Sequence, residues 1–72
     1  MNIELRAGDE VRVWIDGEDV TIRSFVASVP AQEGAEGPGW VDMYTTWPPT
    51  ADPNGNPVTE HRNGIVKWEP AE

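Results

Sequence analysis

The sequence predicts an all-β fold, a small five-stranded antiparallel barrel or strongly twisted sheet formed by a single domain over residues 1–72. Three observations predict it. Apolar and polar residues alternate from Val11 to Ile15 and again around Val41 and Met43, the period of a half-buried strand. Compact turn signals, Asp16-Gly17 and Asn54-Gly55, separate the β-rich runs. No segment carries apolar residues at the spacing of an amphipathic helix.

From Gly8 to Val29, two alternating stretches flank Asp16-Gly17. A two-residue type I′ loop would place Ile15 opposite Glu18, Val13 opposite Val20, Val11 opposite Ile22, Arg12 opposite Thr21 and Glu10 opposite Arg23, leaving one face apolar. A four-residue loop, Asp16 to Asp19, also gives an apolar face but sets Arg12 against Arg23. That like-charge contact favours the shorter loop. After Ile22 the alternation changes phase, because Phe25, Ala27 and Val29 lie on the face opposite Val20, Ile22 and Ser24. A bulge or bend near Ser24 would reconcile the two halves of this long strand.

Residues 30–39 hold three glycines and two prolines without a large apolar side chain, which predicts a flexible acidic loop carrying Glu33 and Glu36. Trp40 to Trp47 reads as a strand with Val41, Met43 and Trp47 on one face and Trp40, Asp42 and Tyr44 on the other. Pro48-Pro49 ends it as a rigid corner. A turn at Asn54-Gly55 leads to a strand from Val58 to His61, Arg62-Asn63-Gly64 reads as a further turn, and Ile65 to Trp68 supplies the last strand.

The run Leu5-Arg6-Ala7-Gly8-Asp9-Glu10-Val11-Arg12-Val13-Trp14, followed by a turn and a long bent strand, resembles the opening of SH3-like barrels of the Tudor, KOW and bacterial SH3 kinds, in which a Gly-Asp pair precedes the first strand. The resemblance covers roughly the first 29 residues and implies a fold rather than an activity. A KOW-type relationship implies nucleic-acid binding through basic loops, and the loops here are acidic. A Tudor-type relationship implies an aromatic cage for methylated Lys or Arg, with Trp14, Trp40, Tyr44 and Asp42 as the residues available for it.

At 72 residues with no cysteine, the chain stands near the lower size limit for a core unsupported by disulfides. Thirteen carboxylates face five Lys and Arg, a net charge of −8. Such a chain is repelled by a phosphate backbone or an anionic membrane and attracted to a basic protein surface. The surplus is regional: Phe25 to Pro53 contains four acids and no Lys or Arg. No apolar run approaches the roughly 20 residues of a membrane-spanning helix, and no basic, apolar leader opens the chain. The expectation is a soluble, cytoplasmic protein. Arg, Ala, Gly and Pro usage further predicts a bacterial accessory protein or a phage protein from a GC-rich host.

Four tryptophans are many for this length. Trp47 and Trp68, each sharing a face with apolar neighbours, are expected in the core, and Trp14 and Trp40 on the opposite face, open to a partner. Asp52, Asn54 and Asn56 match the first ligands of a calcium loop, but Pro57 and Asn63 stand where Gly and Glu are required. His61 is the only histidine and sits beside a turn, so no catalytic triad and no transition-metal site is predicted, and no cofactor. Glycine-rich 34–39 lacks the Lys and following helix of a phosphate cradle.

The function expected is therefore a non-enzymatic protein-binding module that uses Trp14, Trp40, Asp42, Tyr44, Glu33 and Glu36 against a basic protein surface of a host protein. Two alternatives stand beside it. One is a nucleic-acid mimic that blocks a DNA- or RNA-binding groove and needs a continuous acidic stripe. The other is a structural, virion-type subunit that self-assembles through unpaired sheet edges, so a homo-oligomer is also foreseen.

Overall fold

A computed structural model describes residues 1–6 and 8–71, and its regular elements are all β-strands. These are β1 (Asn2–Arg6), β2 (Val11–Ile15), β3 (Glu18–Asp19), β4 (Ser24–Pro30), β5 (Gly37–Tyr44) and β6 (Thr59–Pro70). They form one antiparallel sheet in the order β1-β4-β5-β6-β2-β3. Alternation sends Val13, Ile15, Ala27, Val29, Val41, Met43 and Val66 to one side, where with Val20 they form the buried core. Leu5, Val11 and Trp68 pack against its margin. No helix here is long and apolar enough to cross a membrane among the described residues.

The expected five-stranded barrel is corrected to an open six-stranded sheet, with β1 and β3 as its edges. Two physical reasons account for the difference. Ile3 and Leu5 make a strand of the chain start, facing Val29 and Ala27 of β4. The β2–β3 hairpin, for its part, stops short. Its loop is the two-residue one, with Asp16 and Gly17 at φ 51° and 84° and Ile15 opposite Glu18. Strand pairing nevertheless ends at Trp14 opposite Asp19: the Val20 N–H still donates to the Val13 carbonyl at 3.0 Å, but the return bond from Val13 goes to the Thr21 side chain. The Val13 N–H donates to Thr21 Oγ1 at 3.0 Å, while Asp19 Oδ1 accepts from the Thr21 N–H at 2.9 Å and its hydroxyl at 2.6 Å. The chain turns there, so Ile22 never meets Val11 and Arg23 never meets Glu10. Arg23 instead reaches Glu18 at 2.7 Å and the carbonyl of Thr45 at 2.8 Å.

The expected bulge is present, but it does not bring Phe25 into the core, as a bend there was expected to do; its ring lies against Tyr44 instead. The β4–β5 register shifts between Ser24 and Val26, leaving Phe25 without an opposite residue, so that Ser24 faces Met43 and Ala27 faces Val41.

The region expected to be a loop over residues 30–39 is shorter, because Pro30 closes β4 and Gly37-Pro38-Gly39 open β5. Gly39 serves close packing and not a bend: a Cβ there would stand 2.1 Å from the Ser28 carbonyl oxygen and 2.6 Å from Val66 Cγ2. Only residues 31–36 connect the strands, pinned by a bond from the Gly34 N–H to the Trp68 carbonyl at 2.8 Å. Strand β5 ends at Tyr44, not at Trp47. The Thr45 N–H bonds the Val58 carbonyl at 3.1 Å, and the chain leaves the ladder, so Trp47 stays 53% exposed instead of entering the core.

The expected turn at Arg62-Asn63-Gly64 is a correction of the same kind. These residues lie inside the 12-residue β6, and Gly64 is required because the Asp16 carboxylate occupies the space beside it, 2.6 Å from where a Cβ would stand. Asp16 Oδ1 accepts the Ile65 N–H at 3.0 Å and the Asp16 N–H donates to the Ile65 carbonyl at 2.7 Å. The turn about Asn54-Gly55 is present: Asp52 Oδ1 accepts the N–H groups of Asn54 and Asn56, each at 2.9 Å, and Gly55 has φ 86°.

Candidate functional site

On β5 the residues between Val41 and Met43 and on either side of them face away from the core. Register places Trp40 opposite Asn63, Asp42 opposite His61 and Tyr44 opposite Thr59. Trp40, Asp42 and Tyr44 thus share one outward face, as alternation foretold. His61 joins them, a residue that turn chemistry had assigned to the surface without a role. Its Nδ1 lies 2.5 Å from Asp42 Oδ1 and its ring centroid 5.2 Å from that of Trp40. Tyr44 continues the row, 5.1 Å from the Phe25 ring and 6.0 Å from the Trp47 ring.

The other residues singled out in the sequence do not join this cluster. Trp14 lies across β6, opposite Lys67. Its ring is contacted by its own chain's cations, Lys67 Nζ at 4.5 Å and the Arg12 guanidinium at 5.1 Å from the centroid. Glu36 lines a shallow groove with Trp14, Asp16, Ile65 and Lys67, and Glu33 borders a separate one beside Glu69 and Pro70. The six residues therefore form an aromatic and carboxylate row on β5, a Trp14–Glu36 groove, and an isolated Glu33.

The electrostatics are more balanced locally than the net charge implies. Each of the five Lys and Arg lies within 4 Å of a carboxylate: Arg6 with Glu4, Arg12 with Asp19, Arg23 with Glu18, Arg62 with Glu18 and Glu60, and Lys67 with Glu69. Hydrogen bonds from Thr21, aided by Arg12, hold the Asp19 carboxyl below its ordinary value. Bonds to Glu60 and then Glu18 raise the affinity of the Arg62 guanidinium for its proton. Asp9, Asp16 and Asp52 accept backbone N–H groups at turns. The acidic side chains left without a bond among the described residues are few, and Glu33 and Glu36 are among them.

No group of three or more His, Cys, Asp or Glu is placed to hold a metal ion among the described residues. The His61–Asp42 pair has no hydroxyl or thiol bonded to it among the described residues.

Sequence reasoning missed two exposed apolar side chains, Ile22 and Trp47, which line one groove. The available signal was the phase break after Ile22 and the Pro-Pro pair directly after Trp47. No protein-family model matches this chain, and neither a curated protein nor a solved structure matches it.

Proposed function

We propose that the protein is a small non-enzymatic binding module that recognises a basic protein surface. The observation that carries this reading is the outward face of β5, where Trp40, Asp42 and Tyr44 stand side by side and half-exposed on a chain of net charge −8. Aromatic side chains with an adjoining carboxylate supply contact area and charge complementarity to Lys- and Arg-bearing partners.

Mimicry of nucleic acid has less support. It needs an unbroken acidic stripe, whereas many carboxylates here are bonded to the chain's own cations or turns.

Affinity purification from lysate at low and moderate salt tests the proposal. One dominant basic protein, retained at low ionic strength, eluted by salt and weakened by Trp40→Ala, is the expected result. Recovery of no protein would count against a binding module. Displacement of the partner by DNA would favour mimicry, and a concentration-dependent rise in sedimentation coefficient without a partner would favour self-assembly.

A further inference from the structure

The two edges of the sheet are finished differently. Edge β3 consists of Glu18 and Asp19, both tied to arginines of the same chain, and charged side chains of this kind discourage a further strand. Edge β1 carries only the Glu4–Arg6 pair, 2.7 Å apart, and its neighbour β4 has no charged residue. On a chain of net charge −8 this edge is locally neutral.

Hydrogen bonding shows which part of β1 is open. The Ala31 N–H donates to the Met1 carbonyl at 3.2 Å, and bonding alternates along an antiparallel ladder. Ile3 and Leu5 therefore bond Val29 and Ala27, while Asn2, Glu4 and Arg6 turn their N–H and C=O groups outward. Those of Arg6 are already taken: its N–H donates to Asp9 Oδ2 at 2.7 Å, and its carbonyl accepts the Asp9 N–H at 3.1 Å. Those of Asn2 and Glu4 have no partner among the described residues. Between them stands Ile3, an exposed apolar side chain on the core side of the strand.

We infer that β1 pairs with β1 of a second copy of the chain, antiparallel about a two-fold axis through Ile3. The N–H and C=O of Asn2 then bond the C=O and N–H of Glu4 in the second copy, and the reverse, so each open group of the edge is used. Ile3 meets its own counterpart and Met1 meets Leu5 on the apolar side, while Glu4 faces Asn2 on the other. A register centred on Glu4 would set two carboxylates face to face and would need Arg6 released from Asp9. Only the Ile3 register uses Asn2 and Glu4 together and leaves that cap in place. The outward face of β5 stays uncovered, so the pairing is independent of the basic-partner reading.

A ladder this short makes a weak, transient interface, and its salt dependence has a definite sign. Two chains at −8 repel each other, and salt screens that repulsion beyond about 8 Å at physiological ionic strength. Dimerisation therefore strengthens as salt is added, the reverse of binding to a basic protein.

Sedimentation velocity from micromolar to millimolar protein, at low and at high salt, tests the pairing, with amide hydrogen exchange read by NMR on the same samples. The apparent mass should rise with concentration and stop at twice that of the monomer, earlier in high salt. The Asn2 and Glu4 amides should gain protection in step, and the Glu18 amide on the other edge should not. Glu4→Pro removes an outward N–H that β4 does not use and should weaken the dimer about tenfold or more. Glu4→Gln keeps that N–H and should leave the dimer intact. Ile3→Lys, which sets like charges together on the axis, should abolish it.

A chain that stays monomeric at millimolar concentration in high salt overturns the inference. So does growth past twice the monomer mass, or a dimer that survives both Glu4→Pro and Ile3→Lys. Should Glu4→Pro fail to fold when dilute, Ile3→Lys and the exchange pattern decide. None of these outcomes bears on the basic-partner reading, which stands or falls with the affinity purification.

Discussion

The inward and outward faces of β5 differ by one step along the chain and by nearly everything in chemistry. Inward, Val41 and Met43 are fully buried; outward, Trp40, Asp42 and Tyr44 remain half-exposed. The contrast extends to the whole sheet. The buried core is made of Val, Ile, Ala and Met alone, and none of the six aromatic residues is within it. Aromatic rings usually dominate core energetics. Here the fold is closed by medium-sized aliphatic residues and the rings are left at or near the surface. Core packing and the outward aromatic row are therefore carried by different side chains, and if the proposed binding role holds, each should change with limited effect on the other.

The largest break in that division should come from the inward side. Ile15→Ala removes a fully buried side chain and should cost about 2–4 kcal/mol, measured by urea denaturation. In a domain this small that is a large share of the total, and a loss under 1 kcal/mol would show that the core can collapse around the gap.

Gly39→Ala is next, since its methyl group would meet the Ser28 carbonyl and Val66. A destabilisation of about 1–3 kcal/mol is expected, and a neutral outcome would mean that β4 and β5 separate easily. Asp16→Ala deprives the Ile65 N–H of its acceptor and puts Ala at a left-handed φ of 51°. We expect about 1–2 kcal/mol, with Asp16→Asn milder.

The outward side should respond weakly. Trp40→Ala is expected to change stability by no more than about 1 kcal/mol while reducing partner affinity, and a cooperative unfolding transition shifted by several kcal/mol would erase the distinction between faces.

The smallest effect concerns pH. Because the Asp19 carboxyl is held below its ordinary value in the folded state, its contribution is present above that value and disappears as pH falls through the lowered one. Thermal melts should therefore lose part of their acid sensitivity in Asp19→Asn below about pH 4, and identical pH profiles for the two proteins would show that Asp19 contributes nothing.

What was legible in the sequence was what depends on neighbours in the chain. Asp16-Gly17 and Asn54-Gly55 announce their turns through local backbone preference, and Val41 and Met43 declare their face through period two. The bulge at Phe25 was visible as a conflict of phase. Gly39 and Gly64 were misread as loop and turn residues, because the groups that exclude a side chain there, the Ser28 carbonyl and the Asp16 carboxylate, come from distant parts of the chain. Trp47 was misplaced for a related reason: alternation was extended beyond Tyr44, where the ladder had stopped.

The site was half legible. Trp40, Asp42 and Tyr44 follow from alternation, whereas the contact of His61 with Asp42 and Trp40 depends on the register between β5 and β6. No local pattern encodes that register.

Strand β6 pairs with β5 from Thr59 to Val66 and with β2 from Val66 to Pro70. It alone is laddered both to the β1-β4-β5 half and to the β2-β3 half. The protein is thus a natural candidate for fragment complementation. Cut within the connection before Thr59, the first five strands would await a short peptide whose insertion restores the sheet. Such a pair would report, by binding alone, on how strongly one strand commits two half-sheets to a single structure.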